Sequence, residues 1–293
     1  MTPAPAMYEY ATPKDHGDLF YQYVIDAQTL GMTDGKDYLQ QFGALVTDGA
    51  FVMRHWAGLS TMADRLNIYD QDNRRMYSSP AWMGTNSNGL PFAQSVVAPE
   101  WSYRDNARVK VDLINVNQAT AGVDTGLTIY KSQLVFTGVR RVPFVVSDPV
   151  PSGYKFYEKP YQVPYSLSID RYASIGGILN PALKIEIPVR DYDFELRRIE
   201  MELTDFGDPL FKMTLYDTNK YARSNAPVLA NMLCHVDPSS LFGAGESSFW
   251  PSPPILYRVN SKIVFDVWSL LMSPTALPQT VRLLFHGVRR IPC

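Results

Sequence analysis

Apolar and polar residues alternate along this chain in short runs that break before they reach helical length. Within residues 108–113, Val109, Val111 and Leu113 share one face while Lys110 and Asp112 share the other. Residues 262–267 repeat the pattern, with Ile263, Phe265 and Val267 on the apolar face. Residues 183–187 and 199–203 alternate in the same way, and residues 281–285 read as a closing strand. A period of two places successive side chains on opposite faces of a strand. The 22 prolines and 18 glycines are spread so that few windows could hold a long helix. The pattern therefore predicts an all-β chain built as β-sandwiches, jelly-roll-like or Ig-like. Residues 18–30 carry two readings, an amphipathic helix or a strand through Phe20 to Asp26. Residues 225–234 read as a short helix or a turn.

The strands recur. Residues 134–143 (LVFTGVRRVP) match residues 283–292 (LLFHGVRRIP), at an offset of 283 − 134 = 149 in a chain of 293. Residues 66–70 resemble 213–217 at 213 − 66 = 147, and residues 103–112 match 257–266 at 257 − 103 = 154. Phe51 to Arg54 resemble Phe194 to Arg197 more weakly, and Phe20 to Asp26 pair weakly with Tyr165 to Asp170. The changes of offset fall in loop-like stretches, at 233–254 and opposite 118–126, as a shared framework of strands requires. Four ordered blocks predict one structural unit written twice. The expected organisation is an N-terminal arm at 1–18, a first sandwich at 19–146, a Pro/Tyr-rich linker at 147–164 and a second sandwich at 165–293.

Composition narrows the function. A hydrophobic share of 46% supports real cores, while a net charge of −2 lacks the basic footprint of a nucleic-acid-binding domain. No apolar run approaches the ~18 residues of a membrane span, and residues 1–6 lack the pattern of a signal peptide. These observations point to a chain kept in a cytoplasm or released by lysis, with no membrane partner and no direct nucleic-acid contact. Cys234 and Cys293 are the only cysteines and do not occupy equivalent repeat positions; both a disulfide and two separate thiols stay open.

Motifs for chemistry are scarce. His16, His55, His235 and His286 show no metal-ligand spacing, and Cys234-His235 would point apart on a strand. The recurring acids Asp70/Asp217 and Asp112/Asp266 occur once per repeat, which suits structure better than catalysis. The expectation is no catalytic, cofactor-binding or metal site. In their place, Asp112 is expected to pair with Arg140 or Arg141, and Asp266 with Arg289 or Arg290, across neighbouring strands. Trp82, Phe92, Phe242, Phe249 and Trp250 lie in Gly/Pro/Ser-rich segments and are candidate contact residues.

The repeated Gly-Val-Arg-Arg-apolar-Pro strand endings at 134–143 and 283–292, with Tyr/Pro/Asn-rich loops and scarce cysteine, resemble virion structural proteins of tailed bacteriophages. The resemblance is one of style over the whole chain. It implies a capsid-accessory or head–tail component that assembles with itself and other virion proteins, is located in the virion after assembly in the host cytoplasm, and is not an enzyme. The competing readings are a carbohydrate-binding double sandwich, with Trp82, Trp101 or Trp250 stacking on sugars, and a glycoside hydrolase.

Overall fold

The computed structural model describes residues 7–9, 16–31, 38–60, 64–78, 81–82, 92–115, 128–143, 155–169, 183–203, 211–229, 247–249, 251–269 and 279–293. Among these residues all regular structure is β. No helix there is long and apolar enough to cross a membrane. The strands are β1 (Met7–Glu9), β2 (His16–Gly31), β3 (Tyr38–Leu45), β4 (Ala50–Ser60), β5 (Asp64–Tyr69) and β6 (Ala81–Trp82). They continue with β7 (Phe92–Tyr103), β8 (Arg108–Asn115), β9 (Thr128–Pro143), β10 (Lys155–Ile169), β11 (Leu183–Pro188) and β12 (Asp193–Leu203). The last six are β13 (Phe211–Tyr216), β14 (Val228–Leu229), β15 (Ser247–Phe249), β16 (Ile255–Tyr257), β17 (Lys262–Ser269) and β18 (Gln279–Pro292). Residues 18–30 thus resolve to strand.

Two compact units divide the chain, one of Tyr21–Val142 and one of Met1–Phe20 with Pro143–Cys293. In the first half the sheets run β2-β9-β4-β7 and β3-β8-β5-β6. In the second they run β10-β18-β12-β15, with β16 also on β12, and β11-β17-β13-β14. Counted within each half, with β15 and β16, which both pair with β12, taken as one strand, both give strand orders 1-8-3-6 and 2-7-4-5. That is the two-Greek-key jelly roll. In an Ig sandwich the first two strands would be partners in one sheet; here they lie in opposite sheets, which decides between the two expected architectures.

The alternating residues make the core. In the first half, Tyr23, Phe51, Met53, Tyr103, Leu134 and Phe136 of one sheet pack with Leu66, Ile68, Val109, Val111 and Leu113 of the other. In the second half Phe265 of β17 meets Phe285 of β18 at 5.4 Å between ring centroids, and Tyr165 of β10 meets Phe265 edge-on at 5.9 Å. Both halves have a β-bulge at the same place. Pairing on β4 slips between Met53 and His55 opposite Gly138, and pairing on β12 slips between Leu196 and Arg198 opposite Gly287. The extra residues, Arg54 and Arg197, are the last of the weakly matched Phe51 and Phe194 blocks.

Three expectations change. The arm placed at 1–18 already contains β1 and the start of β2, and β1 hydrogen-bonds to β10 through Met7–Tyr157, Tyr8–Phe156 and Glu9–Lys155. An open sheet edge offers unpaired N–H and C=O groups to any nearby strand. The linker placed at 147–164 loses its last ten residues to β10, which pairs with β18 from Phe156 to Ile169. Finally, β2 aligns with β10 through Gln22 and Gln162, at an offset of 162 − 22 = 140, not through the Phe20–Tyr165 match. Gln22 Nε2 donates to Thr137 Oγ1 at 3.2 Å, and Gln162 Nε2 lies 3.1 Å from His286 Nδ1, the position equivalent to Thr137.

Candidate functional site

The polar residues repeated with the strands build the same hydrogen-bonded frame in each half. Tyr69 and Tyr216 end β5 and β13 and extend across to the neighbouring strands β8 and β17. The Tyr69 hydroxyl donates to Asp112 Oδ2, and the Tyr216 hydroxyl donates to Asp266 Oδ2 at 2.7 Å. Gln41 Nε2 adds a 3.2 Å bond to Asp112 Oδ1. Tyr103 and Tyr257 then cross the sandwich, their hydroxyls donating at 2.7 Å to the carbonyl oxygens of Tyr69 and Tyr216.

Next in sequence, Asp70 and Asp217 each close a tight loop. Asp70 Oδ1 accepts from the backbone N–H groups of Asp72 at 2.9 Å and Arg74 at 2.7 Å. Asp217 Oδ1 accepts from those of Asn219 at 2.8 Å and Tyr221 at 2.9 Å. Asn73 and Lys220 take the left-handed conformation these loops need, at φ 61° and 65°. Only the second copy adds a cation: Arg223 Nη2 donates to Asp217 Oδ2 at 3.0 Å, both side chains buried.

The arginines find partners other than those expected. Arg140 lies 3.6 Å from Asp48, and Arg289 lies 3.6 Å from Asp191. Each guanidinium also stacks on a tyrosine, Arg140 on Tyr21 at 4.1 Å and Arg289 on Tyr161 at 3.6 Å. Arg290 pairs with Glu195 and lies over Phe156 at 4.7 Å, while Arg141 is exposed. The expected Asp112–Arg140/Arg141 and Asp266–Arg289/Arg290 pairs are therefore corrected. The physical reason is topological: β8 and β9 follow one another in sequence but belong to opposite sheets, as do β17 and β18. Asp48 and Asp191, which sequence reasoning missed, stand at φ 61° and 68° just before the matched strands at Phe51 and Phe194. An Asp three residues ahead of each matched block was the signal available.

Of the candidate contact residues, Trp82 ends β6 opposite Arg65, Phe92 opens β7 opposite Leu59, and Phe249 ends β15 opposite Ile199. Phe242, Trp250 and Cys234 lie outside the described residues; Cys293 is exposed. Among the described residues no group of three or more His, Cys, Asp or Glu side chains is placed to hold a metal ion.

The frame tyrosines are held protonated. Burial, followed by the Asp266 hydrogen bond and charge, pushes Tyr216 up to about 12. The bond to Asp112 and then burial raise Tyr69. Burial raises Tyr103 and Tyr257, with Asp70 and Asp217 adding to the effect and Arg223 opposing it at Tyr257. A folded-state pKa above the unfolded 10.0 means the folded chain retains protons that the unfolded chain loses. This stability is present below pH ~10 and is lost as pH rises through the folded values. An alkaline titration is expected to show β-sheet circular dichroism collapsing above pH ~10, together with the phenolate absorbance of these four groups. Ionisation of all 18 tyrosines with the sheets intact would contradict it.

No family model matches the chain, and no curated protein does either. Solved viral structures are similar to it at low identity. A chain from the atomic structure of Sulfolobus turreted icosahedral virus is 8% identical with a TM-score of 0.29, covering 91% of this chain and 90% of that one. The major capsid protein P2 of bacteriophage PM2 is 6% identical with a TM-score of 0.28, covering 94% and 97%. The PBCV-1 virus capsid is 9% identical with a TM-score of 0.29, covering 97% and 96%. None of these three is described as belonging to a tailed bacteriophage. The jelly-roll assignment rests on the strand orders of the two halves.

Proposed function

We propose that this chain is a non-enzymatic structural component of a virion, assembling with copies of itself and with other virion proteins. The observation that carries the reading is where the duplicated polar residues go. Asp70/Asp217 and Asp112/Asp266 are each engaged by the same kind of partner in both halves, a backbone turn or a tyrosine hydroxyl. Side chains selected to hold one framework twice serve construction. Surface features agree with it. The terminal strands β3 and β11 carry Leu39 at 58% exposure and Leu183 at 53%, and Tyr221 stands 66% exposed on its turn. Exposed apolar groups on terminal strands and on turns suit contact with a neighbouring copy.

Sedimentation of the purified chain tests the reading. A stable oligomer is expected, with each contact burying more than ~1,000 Å². Deleting residues 1–12 removes β1 from the edge of β10 and is expected to weaken assembly while each sandwich keeps its melting transition. A full-length protein that stays monomeric at high concentration, does not enter particles and binds a glycan array would replace this reading with the carbohydrate-binding one.

A further inference from the structure

The duplication supplies an internal control that exposes one difference between the halves. In the first half Tyr23 is fully buried: its ring meets Phe51 edge-on at 4.8 Å and Tyr21 at 4.9 Å. The Tyr23 hydroxyl accepts from the Thr47 backbone N–H at 3.0 Å and lies 3.3 Å from the Thr47 carbonyl. The Gln22/Gln162 alignment places Val163 at the equivalent position of the second half. There the ring is missing and a cavity of about 210 Å³ takes its place. Its lining repeats the surroundings of Tyr23 position by position. Tyr161 stands for Tyr21, Phe194 for Phe51, Arg190 for Thr47, Asp191 for Asp48 and Arg289 for Arg140. The matched turn confirms this register, since Val46 and Val189 each exchange backbone bonds with the same turn on the neighbouring strand.

We infer that this cavity is a binding site for a phenol ring. The ring would meet Phe194 edge-on as Tyr23 meets Phe51, with its hydroxyl at the Arg190 backbone N–H, to which Val163 offers no acceptor. Arg289 and the 66%-exposed Asp191 side chain stand at the mouth, as their counterparts stand beside Tyr23. The volume suits the ligand: an apolar cavity of ~150 Å³ holds benzene, and p-cresol adds a methyl and a hydroxyl. Two sources share this chemistry, a free phenolic compound and the tyrosine side chain of another copy.

The test is titration of the full chain with p-cresol, followed by calorimetry and by melting temperature. Saturable binding at one site is expected, with toluene weaker by about tenfold because it lacks the hydroxyl. Val163→Tyr, which installs the first half's own ring, is expected to melt higher and to lose p-cresol binding by more than about tenfold. Should that variant fail to fold, Tyr23→Val gives the reciprocal result: a second cavity, a stoichiometry of two, and p-cresol restoring part of the lost melting temperature. No saturable binding by the natural chain, or equal binding by Val163→Tyr, overturns the inference. Sedimentation separates the sources. Oligomers dissolved by p-cresol and by Val163→Tyr identify a tyrosine from another copy; oligomers that persist while p-cresol binds identify a free phenolic compound.

Discussion

Gly287→Ala is expected to destabilise the second jelly roll by about 3 kcal/mol, lowering its melting temperature by roughly 6–12 °C. A Cβ on Gly287 would stand 2.0 Å from the Glu195 carbonyl oxygen and 2.7 Å from the Phe194 ring. At Gly138 the first half repeats the conflict, with the Val52 carbonyl oxygen at 1.9 Å. The two carbonyl oxygens are backbone atoms at a β-bulge, so no rotamer change relieves the contact, and the two strands must separate. This is why glycine recurs within the repeated LVFTGVRRVP and LLFHGVRRIP segments. Gly43, on edge strand β3, is the control. Its added Cβ would meet nothing closer than the Val109 carbonyl oxygen at 3.2 Å, so Gly43→Ala is expected to cost less than about 1 kcal/mol. Urea melts of the three variants check the ranking. Equal midpoints for Gly287→Ala and Gly43→Ala would remove the steric argument.

Strands with one wet and one dry face were legible in the sequence, because alternation needs only local information. Residues 108–113 and 262–267 form β8 and β17 on that basis, and the repeats located their counterparts. The first ten residues of β10 were not legible. Pro160 and Pro164 argued for a linker, yet both lie on a strand that pairs with no described strand on its far side beyond Tyr157, and a strand tolerates a missing N–H donor on such a side. Sheet membership was hidden for a different reason. Neighbours in sequence tend to be neighbours in space, but the jelly roll sends β8 and β9 to opposite sheets, so the Asp112–Arg140 pair could not form. Correct side-chain types were therefore assigned wrong partners. The cavity at Val163 was legible only once β2 and β10 were aligned through their glutamines, since the weak Phe20–Tyr165 match set Tyr23 against a different residue.

Asp217→Ala and Asp70→Ala remove equivalent carboxylates, and they are expected to differ severalfold in cost. Each loses a side-chain acceptor for two backbone N–H groups, a loss worth about 1 kcal/mol where water can reach the loop. Asp70 is half-buried, its turn is exposed, and Met76 occupies the position that Arg223 holds in the second half. Asp217 is 7% exposed, and its second oxygen accepts from the 8%-exposed Arg223. Removing it takes away the carboxylate to which a buried guanidinium donates, a change that costs about 3–5 kcal/mol. Arg223→Met restores at this position the residue type of the first half. The double variant Asp217→Ala/Arg223→Met is therefore expected to recover most of the difference, returning to within about 1–2 kcal/mol of natural stability. Chemical denaturation of the natural chain, Asp70→Ala, Asp217→Ala, Arg223→Met and the double variant closes the cycle. Equal losses for Asp70→Ala and Asp217→Ala, or a double variant no better than Asp217→Ala alone, would show that the Asp217–Arg223 charges do not act as a buried pair.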